Sequence, residues 1–593
     1  MAVDTIPGLF LHSVKTHDTP SAFRYKKGGR YVSVPHAEVF EAVDKASRGL
    51  AALGLAKGDR IALLSENRLE WAIADQAILA CGCINVPIYA TLPANQAEYI
   101  LRDSEARAVF VSGAGQRQKI ESVLSKLPGL QQVITFEPDA GASSNAITLD
   151  DLIARGGGVT DLPAYEERIA TIGKYDWASI IYTSGTTGEP KGAILNHWNF
   201  VSNVLSCGAS LDIGPSDSCL SFLPLSHVFE RTAGYYTMLY RGVSIAYAES
   251  IDTVPQNLLE VSPTVMVSVP RLYEKMYARI LDTVTAGSAI KKNLFFWAVG
   301  IGKVYVRELL EKRIKGSTRF KYGVAYKLVF KKLKAKTGGK LRFFVSGGAP
   351  LARDIAEFFY AAGLPILEGY GLTETSPVIT VNTFEHFKFG TVGRPIDGVD
   401  VKIAEDGEIL ARGPNIMLGY YKKPDLTDEV LDGGWFHTGD IGYLDDKGFL
   451  TITDRKKDII VTAGGKNVAP QPIENLFKTN KYITQAVIIG NRRKFISALI
   501  VPNFEHLTTF ARAAGVVFNS EADLVRDPKV LEKMQGEIDA LSTHLAGFER
   551  VKKFLLIEKD FTIEANELTP TLKVKRKTIE SKYKEQIDTM YAS

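Results

Sequence analysis

Four cysteines in 593 residues are too few for a disulfide framework, and Cys81, Cys83, Cys207 and Cys219 form neither a C-x-x-C pair nor a metal-ligand spacing. They read as reduced thiols of a cytoplasmic protein. The chain also lacks an uninterrupted apolar run of spanning length. The longest candidates, such as Ala77 to Tyr89, are broken, so no transmembrane helix is expected. Between Met1 and Tyr25 stand the early acidic Asp4, a brief apolar stretch around Leu9 to Leu11 and no cleavage-type region, so export is not expected. Disorder bias, low-complexity tracts and fixed-period repeats are likewise missing. With 45% hydrophobic and 23% charged residues the composition is that of a chain that folds throughout, and its length implies several domains.

Charge is unevenly placed. The segment from Lys291 to Lys340 holds fifteen Lys and Arg against Glu308 and Glu311, or +13, so the rest of the chain sums to 4 − 13 = −9. Interleaved with these cations are Phe295, Phe296, Trp297, Tyr305, Phe320, Tyr322, Tyr326 and Phe330. Such a surface suits anionic lipid, where each cation near the membrane contributes about 1 kcal/mol. An ordinary solvated face is the competing reading, and no nucleic-acid recognition module accompanies the patch.

Early in the chain, helical and strand patterns alternate: a helix near Ala37 to Leu53, a strand Arg60 to Leu64, a helix Leu69 to Ala80 and a strand Ala108 to Ser112. Such alternation predicts βαβ units on parallel sheets, hence an α/β fold, and it resumes at Trp177 to Thr183, Val265 to Val269, Leu341 to Val345 and Pro365 to Leu367. After Gly393 short strands with Asp-Gly and Asp-Lys-Gly turns predict a small β subdomain. The polar run Asp454-Arg455-Lys456-Lys457-Asp458 marks a boundary, giving domains 1–455 and 456–593, with a basic helical insertion at about 286–340 in the first.

The strongest local signal is Tyr182-Thr183-Ser184-Gly185-Thr186-Thr187-Gly188-Glu189-Pro190-Lys191-Gly192, directly after a strand. Glycines let backbone N–H groups approach an anion, hydroxyls add donors and Lys191 adds charge. The G-x-x-x-x-G-K-[ST] order is absent, because Glu189-Pro190 separates Gly188 from Lys191, so a P-loop kinase or GTPase is disfavoured. A second signal, Glu368-Gly369-Tyr370-Gly371-Leu372-Thr373-Glu374, offers a ring that can stack on adenine, glycines for close approach and a carboxylate for Mg²⁺. A solvated loop and a structural tyrosine turn are the plainer alternatives.

With these two segments the chain resembles the adenylate-forming superfamily of acyl-CoA synthetases, luciferases and adenylation domains, from about Arg60 to Lys577. The resemblance implies that residues 183–188 and Lys191 wrap the pyrophosphate end of ATP. It assigns Tyr370 to adenine, Thr373 to the α-phosphate, and Glu374 with Thr183 to Mg²⁺. Further segments fall in the family's order. Ser346-Gly347-Gly348-Ala349-Pro350 resembles the stretch along adenine and the acyl pocket, and Trp435-Phe436-His437-Thr438-Gly439-Asp440 the ribose-binding motif, with Asp440 on the ribose hydroxyls. Arg455 would reach ribose or phosphate, and Lys457 would be a hinge. His227, in Leu223-Pro224-Leu225-Ser226-His227-Val228-Phe229-Glu230-Arg231, would border the carboxylate end of the acyl pocket, although a lone histidine among apolar residues is more often structural. Thr569-Pro570-Thr571-Leu572-Lys573-Val574-Lys575-Arg576 resembles the segment with the catalytic lysine, Lys573, but has Leu572 where glycine is common; Lys575 and Lys577 compete for the role.

The resemblance implies a layered N-terminal domain and a smaller, mobile α+β C-terminal domain that swings about Lys457. The swing would replace Lys573 at the site by Gly464, Gly465 and Lys466, with room for the pantetheine of CoA. The basic insertion is similar to one found in long-chain members. The expectation is therefore a long-chain fatty acyl-CoA synthetase using ATP, Mg²⁺ and CoA, with a surface contact to the inner face of a membrane and a homodimer left open. Aryl or medium-chain acid:CoA ligases, acyl-AMP ligases, and a silent lipid- or nucleotide-binding protein are the alternatives. A phosphopantetheine attachment motif is absent.

Overall fold

Ile84–Ile88 is buried at all five positions, as expected of a central strand covered on both faces. It pairs in parallel with Arg60–Leu64 and Trp177–Thr183 in a sheet that, among the described residues, has eight strands. The computed structural model describes residues 3–17, 19–138, 146–183, 189–543, 545–562, 565–569 and 574–592. A second sheet of nine described strands runs through Ser218–Ser221, Val265–Ser268, Phe343–Ser346 and Ile366–Gly371, all parallel. Helix His197–Ser210 lies between the two sheets, touching Lys191–Asn196 of one and Val378–Val381 of the other. The fold is the expected layered α/β body, and the four cysteines are free thiols.

The helix predicted near residue 37 occupies His36–Ala52. The sequence reading missed the hairpin before it, Phe23–Lys27 and Arg30–Val34, which turns at Gly28 and Gly29 with φ of 58° and 79°. Its Arg-Tyr-Lys-Lys and Arg-Tyr-Val-Ser text alternates too weakly to announce an edge strand, yet Phe23–Lys27 pairs in parallel with Ser244–Tyr247. After Gly393, Asp400–Ile403, Glu408–Arg412, Trp435–Leu444 and Leu450–Arg455 join Leu431–Asp432 in the β subdomain.

Beyond Ile460 the chain has cores of its own. Strands Ile483–Ile489 and Ser497–Pro502 send Ala486, Ile488, Ala498 and Ile500 to one face and Val487, Ile489, Leu499 and Val501 to the other. This is the period of two in a sheet covered on both sides. Among the described residues no helix is long and apolar enough to cross a membrane.

The body is tied together by a buried ion pair between Arg231 and Asp75, both with side chains at 0% exposure. Asp75 also accepts from Tyr236 Oη (2.7 Å) and Asn85 Nδ2 (2.6 Å), while Arg231 donates to Ser179 Oγ (2.8 Å) and Tyr236 Oη (2.9 Å). Helix Leu69–Ala80, strands Ile84–Ile88 and Trp177–Thr183, and residues 230–236 thereby share one network. Asp75→Ala would leave the guanidinium buried without its counter-charge, a change that costs about 3–5 kcal/mol. It is expected to lower the first thermal unfolding transition by several degrees; an unchanged transition would show the pair to be dispensable.

Beside this pair, the Glu230 carboxyl is folded against Gly234, where any Cβ would lie 2.5 Å from it, and burial pushes it up to about 8. The folded chain thus keeps a proton that the unfolded chain releases near 4.5. Stability from this group falls as pH rises from about 4.5 to about 8 and levels off beyond. Glu230→Gln, which imitates the neutral form, is expected to flatten that part of the Tm–pH profile, and an unaltered slope would refute the assignment.

Candidate active site

A single cavity of about 2230 Å³ opens where the body meets the C-terminal residues. It lies at the carboxyl ends of the parallel strands, where open α/β sheets bind ligands: Thr183 ends Trp177–Thr183, Gly347 follows Phe343–Ser346, and Glu368 to Gly371 end Ile366–Gly371. Ser184, Gly185, Thr186, Thr187, Gly188 and Lys573 lie outside the described residues. Thr183 pairs in register with Lys191, so both ends of that loop are fixed by the ladder.

Tyr420 organises the polar end, and the sequence reading did not single it out. Asn196 and Asn199 cap helix His197–Ser210 reciprocally at 2.7 and 2.8 Å. Asn199 Nδ2 then donates to the Pro414 and Ile416 carbonyls, Met417 N–H to the Glu374 carbonyl, and Leu418 N–H to the Ile194 carbonyl. The clamped segment delivers Tyr420 between two charged groups: its hydroxyl donates to Glu374 Oε1 (2.8 Å), and the Lys191 ammonium lies 5.0 Å from its ring centroid. The only cue in the text was an aromatic pair, Tyr420-Tyr421, after a Gly. Gly371 is demanded by close approach, since a Cβ there would fall 1.8 Å from the Pro377 carbonyl oxygen.

Across the cavity, Asp440 is 5% exposed, accepting from Tyr370 Oη (2.7 Å) and Arg455 Nε (3.1 Å). Burial and the Asp440 carboxylate keep the Tyr370 phenol protonated. Burial opposes the charge of Arg455, but Asp440, Asp458 and Glu374 outweigh it, so the guanidinium senses both carboxylates of the site. Glu408, another residue without a sequence signal, sets the turn before Asp440 by accepting from Gly439 N–H (2.9 Å) and Lys456 Nζ (2.9 Å).

Gly347, Gly348, Ala349 and Gly369 line the cavity beside Glu368, whose carboxyl burial pushes up to about 8 against the opposing Leu351 N–H. A side chain at Gly347 would meet Phe229 at 2.8 Å, so the glycine makes room for that ring. His227 lines the same wall, and its Nδ1 accepts from Phe229 N–H (3.1 Å). Thr373 also lines the cavity, which continues as an apolar arm past Phe229, Leu272, Met276, Ile280 and Leu333.

On the C-terminal side, Thr569 and Val574 line the cavity, and a Leu568–Val574 bridge closes the loop between them. Lys575 lines it too, but donates to Asn566 Oδ1 (2.6 Å), and burial holds its ammonium below the ordinary lysine range. Lys577 is exposed and outside the lining. Lys457 is exposed at the rim, one residue after Lys456, which is held by Asp406 (2.6 Å) and Glu408. Gly464, Gly465 and Lys466 are not brought to the cavity. They lie exposed in the hairpin joining Ile460–Val461 to Asn467–Val468, with the Lys466 ammonium 5.9 Å from the Phe548 ring.

Among the described residues no three His, Cys, Asp or Glu gather as a metal site. The donor chemistry nevertheless fits Mg²⁺ held jointly with phosphate: Thr183 offers a hydroxyl, and among the described residues Glu374 Oε2 carries no hydrogen bond.

Residues 10–421 match the AMP-binding enzyme family, and residues 457–593 match the AMP-binding enzyme C-terminal domain. The chain is 37% identical to the long-chain-fatty-acid–CoA ligase FadD15 of Mycobacterium tuberculosis over 97% of its own length and 95% of the relative's. It is 33% identical to the long-chain-fatty-acid–CoA ligase ACSBG2 of Rattus norvegicus, over 99% and 93%. Two solved structures share the fold at lower identity. The anthranilate CoA ligase AuaEII in complex with anthranoyl-AMP has a TM-score of 0.76 at 20% identity, covering 98% of both chains. A Mycobacterium tuberculosis fatty acyl CoA synthetase has 0.63 at 22%, covering 98% of this chain and 99% of that one. Matched along nearly its whole length by both family regions in order, this protein belongs to the AMP-binding enzyme family.

Proposed function

We propose that the protein activates a long-chain fatty acid with ATP to acyl-AMP and pyrophosphate, then transfers the acyl group to CoA, releasing AMP. The observation that carries this reading is the continuity of one cavity, from the charged cluster of Lys191, Glu374, Asp440 and Arg455 to an apolar arm that reaches Ile280 and Leu333. The acyl specificity named for FadD15 and ACSBG2 supports the same substrate class.

The difficulty of the first step is that an anionic carboxylate must attack the α-phosphorus of an anionic nucleotide. Residues 183–188 and Lys191 hold the pyrophosphate end, Thr373 the α-phosphate, Tyr370 the adenine, and Asp440 with Arg455 the ribose. Tyr420 keeps Lys191 and Glu374 at fixed separation, so the charge arrangement needs no reorganisation as the new P–O bond forms and pyrophosphate leaves. Glu374 and Thr183 would hold Mg²⁺, which when bound supplies positive charge against the phosphates. Lys573 places a further cation at the reacting oxygens, and His227 borders the carboxylate end of the acyl arm.

In the second step the CoA thiolate attacks the acyl carbonyl and AMP departs, so a thiol path and exclusion of water matter most. The 1–455 and 456–593 boundary serves this step: Lys456 is held to the β subdomain, and Lys457 after it is the hinge about which the Gly464-Gly465-Lys466 hairpin turns toward the cavity. The basic segment 291–340 meets a membrane surface.

The reading is tested by AMP release with ATP, Mg²⁺ and CoA across acids of increasing length, with acetate and benzoate beside them. CoA-dependent release strongest with long chains is expected. Release confined to short or aryl acids would reject the substrate, and silence with every acid would reject the ligase. Lys457→Pro is expected to retain fatty-acid-dependent ATP–pyrophosphate exchange while thioester formation falls by about tenfold or more; equal loss of both would refute the hinge.

A further inference from the structure

Cys81 and Cys83 flank Gly82 in the turn between helix Leu69–Ala80 and strand Ile84–Ile88. The helix ends there because Gly82 takes the left-handed conformation, with φ of 74°, which reverses the chain at little cost for a residue without a Cβ. Cys81 N–H donates to the Ala77 carbonyl, Gly82 N–H to that of Leu79 and Cys83 N–H to that of Ile78, each at 3.0 Å. The reversal turns both thiols onto one neighbouring segment. Cys81 Sγ donates to the Leu55 carbonyl (3.7 Å) and Cys83 Sγ to the Ala56 carbonyl (3.2 Å). That segment is pressed on the turn: Gly58 N–H donates to the Gly82 carbonyl (3.0 Å), and a Cβ at Gly82 would lie 3.2 Å from that of Lys57. Two thiols over adjacent carbonyls stand side by side, and each lies within hydrogen-bond reach of the other.

The two thiols are not equivalent. Cys83 is 0% exposed, while Cys81 is only part-buried and meets solvent. A hydrogen bond from Cys83 holds the Cys81 thiol below its ordinary range against the effect of burial, and the Arg168 charge lowers it further. The same contact with Cys81, together with burial, raises Cys83 well above that range. The thiolate is the reactive form of cysteine, so this arrangement supplies an accessible attacking sulfur with a buried second sulfur beside it. Cys207 and Cys219 show the contrast: both are buried, and burial pushes Cys207 up to about 12 and Cys219 well above the ordinary range.

A metal centre does not account for the pair, since among the described residues no three His, Cys, Asp or Glu gather as a metal site. A permanent cross-link between residues two apart would constrain the unfolded chain little, so stability does not account for it either. Reversible oxidation needs one reachable thiol of lowered pKa and a resolving thiol in contact with it, and the turn supplies both. The site is also clear of the chemistry in the cavity. Pro87 and Tyr89 reach the cavity at the far end of the strand that Cys83 precedes.

We propose that Cys81 and Cys83 form a site of reversible oxidation by hydroperoxides, in which Cys81 is the attacking sulfur and Cys83 the resolving one. The Cys81 thiolate attacks one oxygen of hydrogen peroxide, the O–O bond breaks, and the leaving oxygen takes a proton and departs as water. Cys81 is left as a sulfenic acid. The Cys83 sulfur then attacks the Cys81 sulfur, the S–O bond breaks, and the hydroxyl leaves as water with the Cys83 proton. Two thiols thereby give up two electrons and one peroxide becomes two waters. Closing the disulfide takes both sulfurs from the Leu55 and Ala56 carbonyls, and a small thiol reductant restores them by thiol–disulfide exchange.

The test treats the full chain with hydrogen peroxide, alkylates the remaining thiols under denaturing conditions and measures peptide masses. In wild type the peptide holding Cys81 and Cys83 is expected to become lighter by two hydrogens and to escape alkylation, while Cys207 and Cys219 are alkylated. Dithiothreitol should restore all four thiols. Cys83→Ser, which removes the resolving sulfur, is expected to let dimedone trap the sulfenic acid at Cys81 about tenfold more than in wild type. In Cys81→Ser the oxidation of Cys83 should be slower by about tenfold or more. An unchanged peptide, oxidation spread evenly over the four cysteines, a disulfide between chains, or a Cys81→Ser variant whose Cys83 oxidises at the wild-type rate would each overturn the proposal. If either variant fails to fold, the wild-type peptide mass decides by itself.

Discussion

A guanidinium with no exposure to solvent is tolerated at residue 231 only because every direction it points finds a partner: Asp75, Ser179 and Tyr236. Removing a charge from water costs several kcal/mol unless paired and hydrogen-bonded, so this cluster admits one arrangement of the elements that supply it. Those elements bracket the site. Ser179 lies on the strand that ends in Thr183, and Arg231 lies four residues beyond His227, whose carbonyl accepts its N–H (3.1 Å). The network thus ties the strand that ends in Thr183 to the cavity wall that carries His227.

The polar end obeys a similar logic through neutral groups. Two asparagines that cap a helix would ordinarily end their work there, yet Asn199 has a spare amide and uses it to hold residues 414 and 416. The reach of Tyr420 to Glu374 and Lys191 follows from that restraint. A phenol between them gives each a partner and neutralises neither.

Much of the body was legible because periodic apolar patterns and glycine-rich segments are local signals. Arg60–Leu64, Leu69–Ala80 and Trp177–Thr183 lie where alternation predicts them, and the glycines at 347, 369 and 371 line the cavity. The hairpin at residues 23–34 was not legible, since its pairing with Ser244–Tyr247 spans more than two hundred residues and its text is rich in Lys and Arg. Tyr420, Glu408 and Asp75 escaped for a related reason: each works through a partner far away in sequence, and neither spacing nor residue type marks such a pair. His227 shows the opposite case, a lone histidine that could as well have been structural and that the fold sets on the cavity wall.

The position of the C-terminal residues bears on the two steps of the proposed reaction. Thr569, Val574 and Lys575 line the cavity, and the exposed hairpin with Gly464 and Gly465 does not. Both segments belong to a part of the chain with its own cores. Attack on phosphorus needs added positive charge and attack by a thiol needs an open narrow path, two demands that conflict if met by one surface. The proposed swing would present two faces of a single unit in turn, with a few residues absorbing the change. Lys456 is held by Asp406 and Glu408, and the exposed Lys457 after it is the hinge that the proposed swing names.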